Sequence, residues 1–202
     1  FRSGKDYNAG GARYNTNYLQ GVGIGTITDS LAAIKYNVFD KQKFTMSELM
    51  QALNDNFEGH GRIWNLVSNK TPKYGNDDDY ADDIMKDVFS FYYESVTGRP
   101  NMKGGKYRIN MLPTTCHVYF GEVMMASPNG RLAHKPVSEG ISPEKGADVH
   151  GPTAVVKSCS KMDHLNTGGT LLNQKFTPQV VSGENGLIQM ANLVRTYFNL
   201  DG

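Results

Sequence analysis

A thiol beside an imidazole is the usual way to make a thiolate nucleophile, and Cys116-His117 sets the two residue types side by side. The stretch Cys116–Phe120 reads as a strand, where neighbouring side chains face opposite ways, so the two cannot pair. Cys116 and Cys159 are both expected as inert, mostly buried thiols. Histidines 60, 117, 134, 150 and 164 show no HExxH and no other close ligand spacing, so no metal site is expected. Gly21-Val-Gly-Ile-Gly-Thr26 suggests an anion held by backbone amides at a helix start. It has Thr at the third glycine of a dinucleotide fingerprint, no preceding apolar strand and no Gly-Lys-Ser/Thr. Glycines placed for positive φ and close packing explain the run better. Asp77, Asp78, Asp79, Asp82 and Asp83 resemble a calcium loop in composition only. Counting from Asp77, the sixth and twelfth positions hold Asp82 and Val88, where glycine and glutamate are required. Acidic residues opening a helix explain them. Arg131, His134, Lys135, Lys157 and Lys161 are scattered and read as solvated surface.

The elements that must carry these residues fall into two halves. Residues 1–26 are rich in Gly, Tyr and Asn and read as loop. A helix capped by Thr28 or Asp29 runs through Phe39, with Leu31, Ile34 and Val38 on its apolar face. Thr45-Met-Ser-Glu48 is a capping box leading Leu49, Leu53 and Phe57. A short helix is expected over Arg62–Val67, and a long one opens at the aspartates, carries Ile84, Val88 and Phe91, and stops at Gly98 and Pro100. Thereafter Tyr107–Met111, Cys116–Phe120 and Thr170–Phe176 read as strands. A helix follows Pro152 to about Met162, and an amphipathic helix covers Leu187–Leu200. Helices followed by strand–helix alternation predict an α/β fold with a parallel component, without repeats or a linker.

The chain has 202 residues and a net charge of +1, with 20% charged residues. That balance gives no argument for a nucleic-acid or membrane partner. No stretch reaches the roughly 18–20 apolar residues of a membrane helix, and two cysteines make no disulfide scaffold. A soluble, cytoplasmic protein is expected. The chain opens on Phe1 without Met and closes with Asp201-Gly202 directly after a patterned helix. A natural terminal helix and a chain cut from something longer both fit that pattern.

Longer strings carry a resemblance. Pro72-Lys-Tyr-Gly-Asn-Asp-Asp-Asp-Tyr-Ala-Asp82, Ser127-Pro-Asn-Gly-Arg131, Val137-Ser-Glu-Gly-Ile-Ser-Pro143 and Gly168-Gly-Thr-Leu-Leu-Asn-Gln-Lys-Phe176 resemble glycyl radical enzymes. The resemblance is to the dehydratase branch of that pyruvate formate-lyase-like family and runs through essentially the whole chain. Gly4–Asn17 and Arg108–Gly121 are most similar to dehydratases of trans-4-hydroxy-L-proline. The resemblance implies an α/β fold, part of a ten-stranded barrel of two half-sheets ringed by helices. It also implies that residues 1–202 are one internal segment of that barrel domain. The family's Gly-Cys-Xaa-Glu and Arg-Val-Xaa-Gly-Tyr motifs do not occur here, so the catalytic Cys loop is expected upstream of Phe1 and the radical-bearing loop beyond Gly202.

In the family, a radical-AdoMet activase installs a glycyl radical, which generates a thiyl that abstracts a substrate hydrogen before water is lost. A small-molecule substrate, the activase and a second copy in a homodimer are the implied partners; no cofactor is expected bound to this segment. The resemblance places Leu112 and Thr114 at the substrate cavity, Leu112 as apolar wall and Thr114 as a hydroxyl donor or acceptor. Plain barrel packing is the competing account of both. The implied reaction converts trans-4-hydroxy-L-proline to pyrroline-5-carboxylate. The alternatives are glycerol or propanediol dehydration, choline trimethylamine-lyase chemistry, and a non-catalytic truncated homologue serving as an interaction module. A barrel segment without its partner strands would be insoluble or molten.

Overall fold

The computed structural model describes residues 2–202. At its centre is β2 (Tyr107–Asn110), the strand expected over Tyr107–Met111, which pairs in parallel with β1 (Asn17–Gln20). The register sets Asn17 opposite Tyr107 and Gln20 opposite Asn110. On the other edge of β2 lies the glycine-containing stretch 168–171. Gly168 N–H donates to Ile109 O at 2.8 Å, Met111 N–H to Gly169 O at 2.8 Å and Leu171 N–H to Met111 O at 3.2 Å. Met111 and Thr170 form a parallel bridge. Three extended stretches thus run in one direction, with their carboxyl ends together at Gln20, Met111 and Leu171. In α/β layers that end is where ligands are received.

β1 lies in the stretch expected to be loop. Its four residues are extended because β2, far along the chain, supplies the hydrogen-bonding edge, and no local pattern announces that. Gly21 follows at once: a Cβ there would overlap Met111 Sδ, so this glycine permits close approach of the two chains. Helix α1 (Ile24–Ile34) then starts earlier than expected. Gly23, at φ 82°, is its N-cap, and Thr28 and Asp29 are buried inside it instead of capping it. The helix continues as a π-helical turn over Lys35–Asp40, close to the expected end at Phe39.

Helices α2 (Met46–Asn54), α3 (Gly61–Asn69) and α4 (Asp79–Val96) follow. The capping box at α2 forms as expected: Thr45 N–H donates to Glu48 Oε2 at 2.7 Å, and Glu48 N–H to Thr45 Oγ1 at 3.2 Å. Asp78 caps α4 by accepting from Tyr80 N–H at 3.0 Å. Helix α1 packs along α4, and α4 packs on β2.

The expected strand over Cys116–Phe120 is instead helix α5 (Cys116–Val123). Pro113 cannot extend a ladder because it has no N–H. Thr114 takes φ 51°, which turns the chain, and Cys116 N–H then donates to Pro113 O at 3.1 Å. The expected strand over Thr170–Phe176 reduces to the single bridge at Thr170. Its later backbone turns to residues 139–142: Ile141 N–H donates to Leu171 O at 2.9 Å and Asn173 N–H to Ser142 Oγ at 3.0 Å.

Helix α6 (Pro152–Ser160) has proline in its first turn, and a short α7 (Pro178–Val181) precedes α8 (Gly183–Asn199). One apolar cluster joins Ile24, Tyr74, Met85, Phe89, Ile109, Met111, Ile141, Val155 and Cys159 around β2. A second joins Ala33, Phe44, Leu49, Phe57, Ile63 and Val67. Leu187, Ile188, Val194 and Phe198 of α8 are exposed. No helix among the described residues is long and apolar enough to cross a membrane.

Candidate functional site

Leu112 and Thr114 stand where β2 ends. Leu112 is half-buried, with its side chain against Gly169, where a Cβ would come within 3.0 Å of Leu112 Cδ1. Leu112 N–H donates to Gln20 Oε1 at 3.0 Å, so a side chain from the end of β1 takes over from the backbone ladder. Thr114 is exposed in left-handed backbone. Its carbonyl faces His117 Nδ1 at 3.0 Å, and its hydroxyl has no hydrogen-bond partner among the described residues. An apolar side chain and a free hydroxyl therefore sit on one short turn at the carboxyl end of the sheet. Such a turn can receive a small molecule with one apolar and one polar side.

His117 also lines a cleft of about 720 Å³ next to this turn. The cleft forms where Asp29 of α1, Trp64, Ser68 and Asn69 of α3, and Lys73 meet residues 129–147. Glu144 accepts a hydrogen bond from the Thr26 hydroxyl and one from Asn129 Nδ2 at 3.3 Å. Thr26 N–H donates to Ser138 Oγ at 3.1 Å, and Ser138 N–H to Thr26 Oγ1 at 2.8 Å. The positive end of α1 thus already faces a carboxylate of this chain. The glycine run before it is used for packing: a Cβ on Gly25 would lie 2.9 Å from Ser142 O.

Deeper in the cleft are a buried cation and a buried acid, neither singled out by spacing. Lys73 Nζ donates to Asn129 O at 2.8 Å. Burial draws its pKa below the ordinary lysine value, against the pull of Asp29 and Glu144. Asp29 Oδ1 accepts from Tyr74 N–H at 2.8 Å, while Oδ2 has no partner among the described residues. Burial pushes the Asp29 carboxyl up to about 7, opposed by Lys73 and the Tyr74 N–H.

A native carboxyl that holds its proton above the unfolded value of 3.8 contributes most below that value. Its contribution is lost as the pH rises to about 7, because the unfolded chain gives up its proton first. Stability should therefore fall across this window. Asp29→Asn keeps an acceptor for Tyr74 and should flatten that part of the profile. Urea midpoints of parent and variant measured from about pH 4 to 8 check this; parallel profiles would refute it.

The other candidates separate cleanly. Cys159 is buried, and burial pushes its thiol up to about 12, although the bond from Tyr74 Oη, 3.2 Å away, opposes this. It is not a nucleophile. Arg131 and Lys161 are not the solvated surface expected, whereas Lys157 is exposed as expected. Arg131 is buried and spends its guanidinium on its own loop, donating to Ser127 Oγ at 3.0 Å and Leu132 O at 3.2 Å. Lys161 Nζ lies 2.7 Å from Asp82, 2.8 Å from Asp79 and 3.3 Å from Asp77, and Lys157 Nζ lies 2.8 Å from Asp77. The aspartate cluster is thus a cap and an ionic tie between α4 and the end of α6. Among the described residues no group of acidic, His and Cys side chains is placed to hold a metal.

The family model described as pyruvate formate lyase-like matches residues 1–121, and the glycine radical model matches residues 137–202. The chain belongs to the pyruvate formate lyase-like family. It is 74% identical over 199 residues to trans-4-hydroxy-L-proline dehydratase of Clostridioides difficile, covering 98% of this chain and 25% of that protein. It is 40% identical over 201 residues to (2S)-3-sulfopropanediol dehydratase of Klebsiella oxytoca, covering 96% and 24%. The crystal structure of the C. difficile hydroxyproline dehydratase with trans-4-hydroxy-L-proline bound superposes with a TM-score of 0.96 at 73% identity, over 100% of this chain and 26% of that one. The glycerol-bound B12-independent glycerol dehydratase of Clostridium butyricum gives 0.94 at 42% identity, over 100% and 26%.

The chain therefore spans about a quarter of the length of the relatives it matches. Its mixed helices and parallel strands are part of the α/β barrel of glycyl radical enzymes. Within this pyruvate formate lyase-like chain, the cleft lies along the seam between the stretches matched by the two models. Asp29, Lys73 and His117 come from one side and Ser138, Glu144 and Asn173 from the other.

Proposed function

We propose that residues 1–202 are an internal segment of a glycyl radical lyase that eliminates water from trans-4-hydroxy-L-proline to give pyrroline-5-carboxylate. The observation that carries this reading is the 74% identity to a dehydratase of that substrate over nearly the whole chain. The free Thr114 hydroxyl and the Leu112 side chain at the carboxyl end of the sheet support it. Leu112 serves as wall for the apolar ring carbons and Thr114 as hydrogen-bond partner to a polar substituent of the substrate. A substrate held in one orientation presents one hydrogen for abstraction and one hydroxyl for departure.

The glycines present do not fit the role of radical carrier. None of those in residues 137–202 sits in an Arg-Val-Xaa-Gly-Tyr motif. Those near the turn are occupied by packing: Gly168 against Tyr18, Gly169 against Leu112 and Gly140 against Leu171. The radical and the thiol that it serves belong outside this segment in our reading, as do a radical-AdoMet activase and a homodimer partner. The group would supply hydrogen-atom abstraction; the residues described here bind and orient the substrate and keep water from it.

The test is made on the complete enzyme, activated anaerobically. Electron paramagnetic resonance should show a glycyl doublet, and trans-4-hydroxy-L-proline should be converted to pyrroline-5-carboxylate. A doublet with turnover of glycerol or (2S)-3-sulfopropanediol instead would move the substrate within the family. No doublet with a competent activase would overturn the reading.

A further inference from the structure

We propose that Gln20 and His117 are positioning residues that clamp the Leu112–Thr114 turn at its two ends, and that this clamp presents the Thr114 hydroxyl to substrate. The inference rests on the reading of Thr114 as a substrate contact and goes beyond it by naming what holds that contact in place.

The need for a clamp comes from the backbone. The β1–β2 ladder closes with Gly21 N–H donating to Asn110 O at 2.8 Å. The chain of β1 then departs into Gly23 and α1, so Leu112 has no backbone neighbour on that side. Its N–H is satisfied by Gln20 Oε1 at 3.0 Å. Two residues on, Thr114 adopts φ 51°, a conformation that a β-branched L residue resists. Intrinsic preference would therefore return the turn to an extended path and swing the hydroxyl away.

His117 opposes that return. Its Nδ1 lies 3.0 Å from Thr114 O. A carbonyl oxygen only accepts, so Nδ1 carries the proton and donates. His117 is itself anchored, because it stands in the first turn of α5 and its own carbonyl accepts from Val137 N–H at 3.2 Å. Cys116 N–H donates to Pro113 O at 3.1 Å and closes the turn between the two clamps. One clamp thus fixes the amide end of Leu112, the other fixes the carbonyl end of Thr114, and the hydroxyl between them is left unpaired.

The clamp also ties the turn to both sides of the seam. Gln20 comes from the strand before α1, and Val137 from the stretch that forms the opposite wall of the cleft. A shift of either wall moves the Thr114 hydroxyl relative to the bound substrate.

In the complete activated enzyme, Gln20→Leu and His117→Leu should each raise KM for hydroxyproline by roughly ten- to a hundredfold, as expected for a misplaced substrate contact. The glycyl radical signal should stay at its parent level in both. Gln20→Glu keeps an acceptor at Oε1 and His117→Asn keeps a donor at the position of Nδ1, and both should recover most of the loss. If the clamp acts through Thr114, adding His117→Leu to Thr114→Ala should cost little more than Thr114→Ala alone.

Distinct results sink distinct claims. Unchanged kinetics in Thr114→Ala would remove the substrate contact. A weakened Thr114→Ala with unchanged or strictly additive Gln20→Leu and His117→Leu would overturn the clamp alone. Loss of the radical signal in the two leucine variants would make both residues part of general folding, and would also overturn it.

Discussion

Thr114→Ala in the complete enzyme should lower kcat/KM for hydroxyproline by about ten- to a hundredfold while leaving the unfolding midpoint almost unchanged. A hydrogen bond to a neutral group is worth about 0.5–1.5 kcal/mol net, and one to a charged group about 1.5–3 kcal/mol. Hydroxyproline offers both a hydroxyl and a carboxylate, and each 1.36 kcal/mol is a factor of ten. The structure separates this effect from stability. The Thr114 side chain is exposed and its hydroxyl bonds to nothing among the described residues, so truncation leaves no buried partner there unsatisfied. Thr114→Ser keeps the hydroxyl and should retain most activity. Thr114→Val keeps the shape and should behave like Ala. If Val and Ala both match the parent, Leu112–Thr114 is packing and not a binding surface.

What could be read from the residues divides according to how local the cause is. The capping box at Thr45 and Glu48, the aspartate cap of α4 and the apolar periodicity of α8 are local devices, and each appears where its spacing put it. β1 is not local. Asn17–Gln20 is extended only because Tyr107–Asn110 lies beside it, so its glycine-rich surroundings gave no signal. Cys116–Phe120 misleads for a different reason. Its β-forming side chains suit a strand, but the left-handed turn at Thr114 decides the backbone before they can act. Leu112 and Thr114 could be named only through long strings shared with glycyl radical enzymes; their spacing alone is that of any strand end. Asp29 reads as a helix cap and Lys73 as an ordinary residue, because their burial is not written in their neighbours along the chain. Gln20 acts on a residue brought to it by the sheet, and His117 on one three positions away once the turn has formed.

The second large effect is expected at Lys161. Lys161→Met should destabilise the complete enzyme by about 3 kcal/mol, seen as a lower urea midpoint at an unchanged slope. Burial works against the Lys161 charge, yet its bonds to Asp79 and Asp82 outweigh this and hold its ammonium above the lysine range. Asp82 is fully buried, and its Oδ2 takes both Lys161 Nζ at 2.7 Å and Ser158 Oγ at 2.9 Å, leaving Oδ1 without a partner. Burial raises the Asp82 carboxyl despite that cation. Removing Lys161 would therefore strand a carboxylate in the seam between α4 and α6, where breaking a buried pair costs about 3–5 kcal/mol. The lower end applies because Lys161 keeps some contact with water. The lost charge, and not the lost packing, then causes the damage. Adding Asp82→Asn to Lys161→Met should then recover much of the stability, since an amide costs less to bury than an unpaired carboxylate. A double variant as unstable as the sum of the two single ones would mean that the aliphatic stem of Lys161, and not its ammonium, holds α6 against α4.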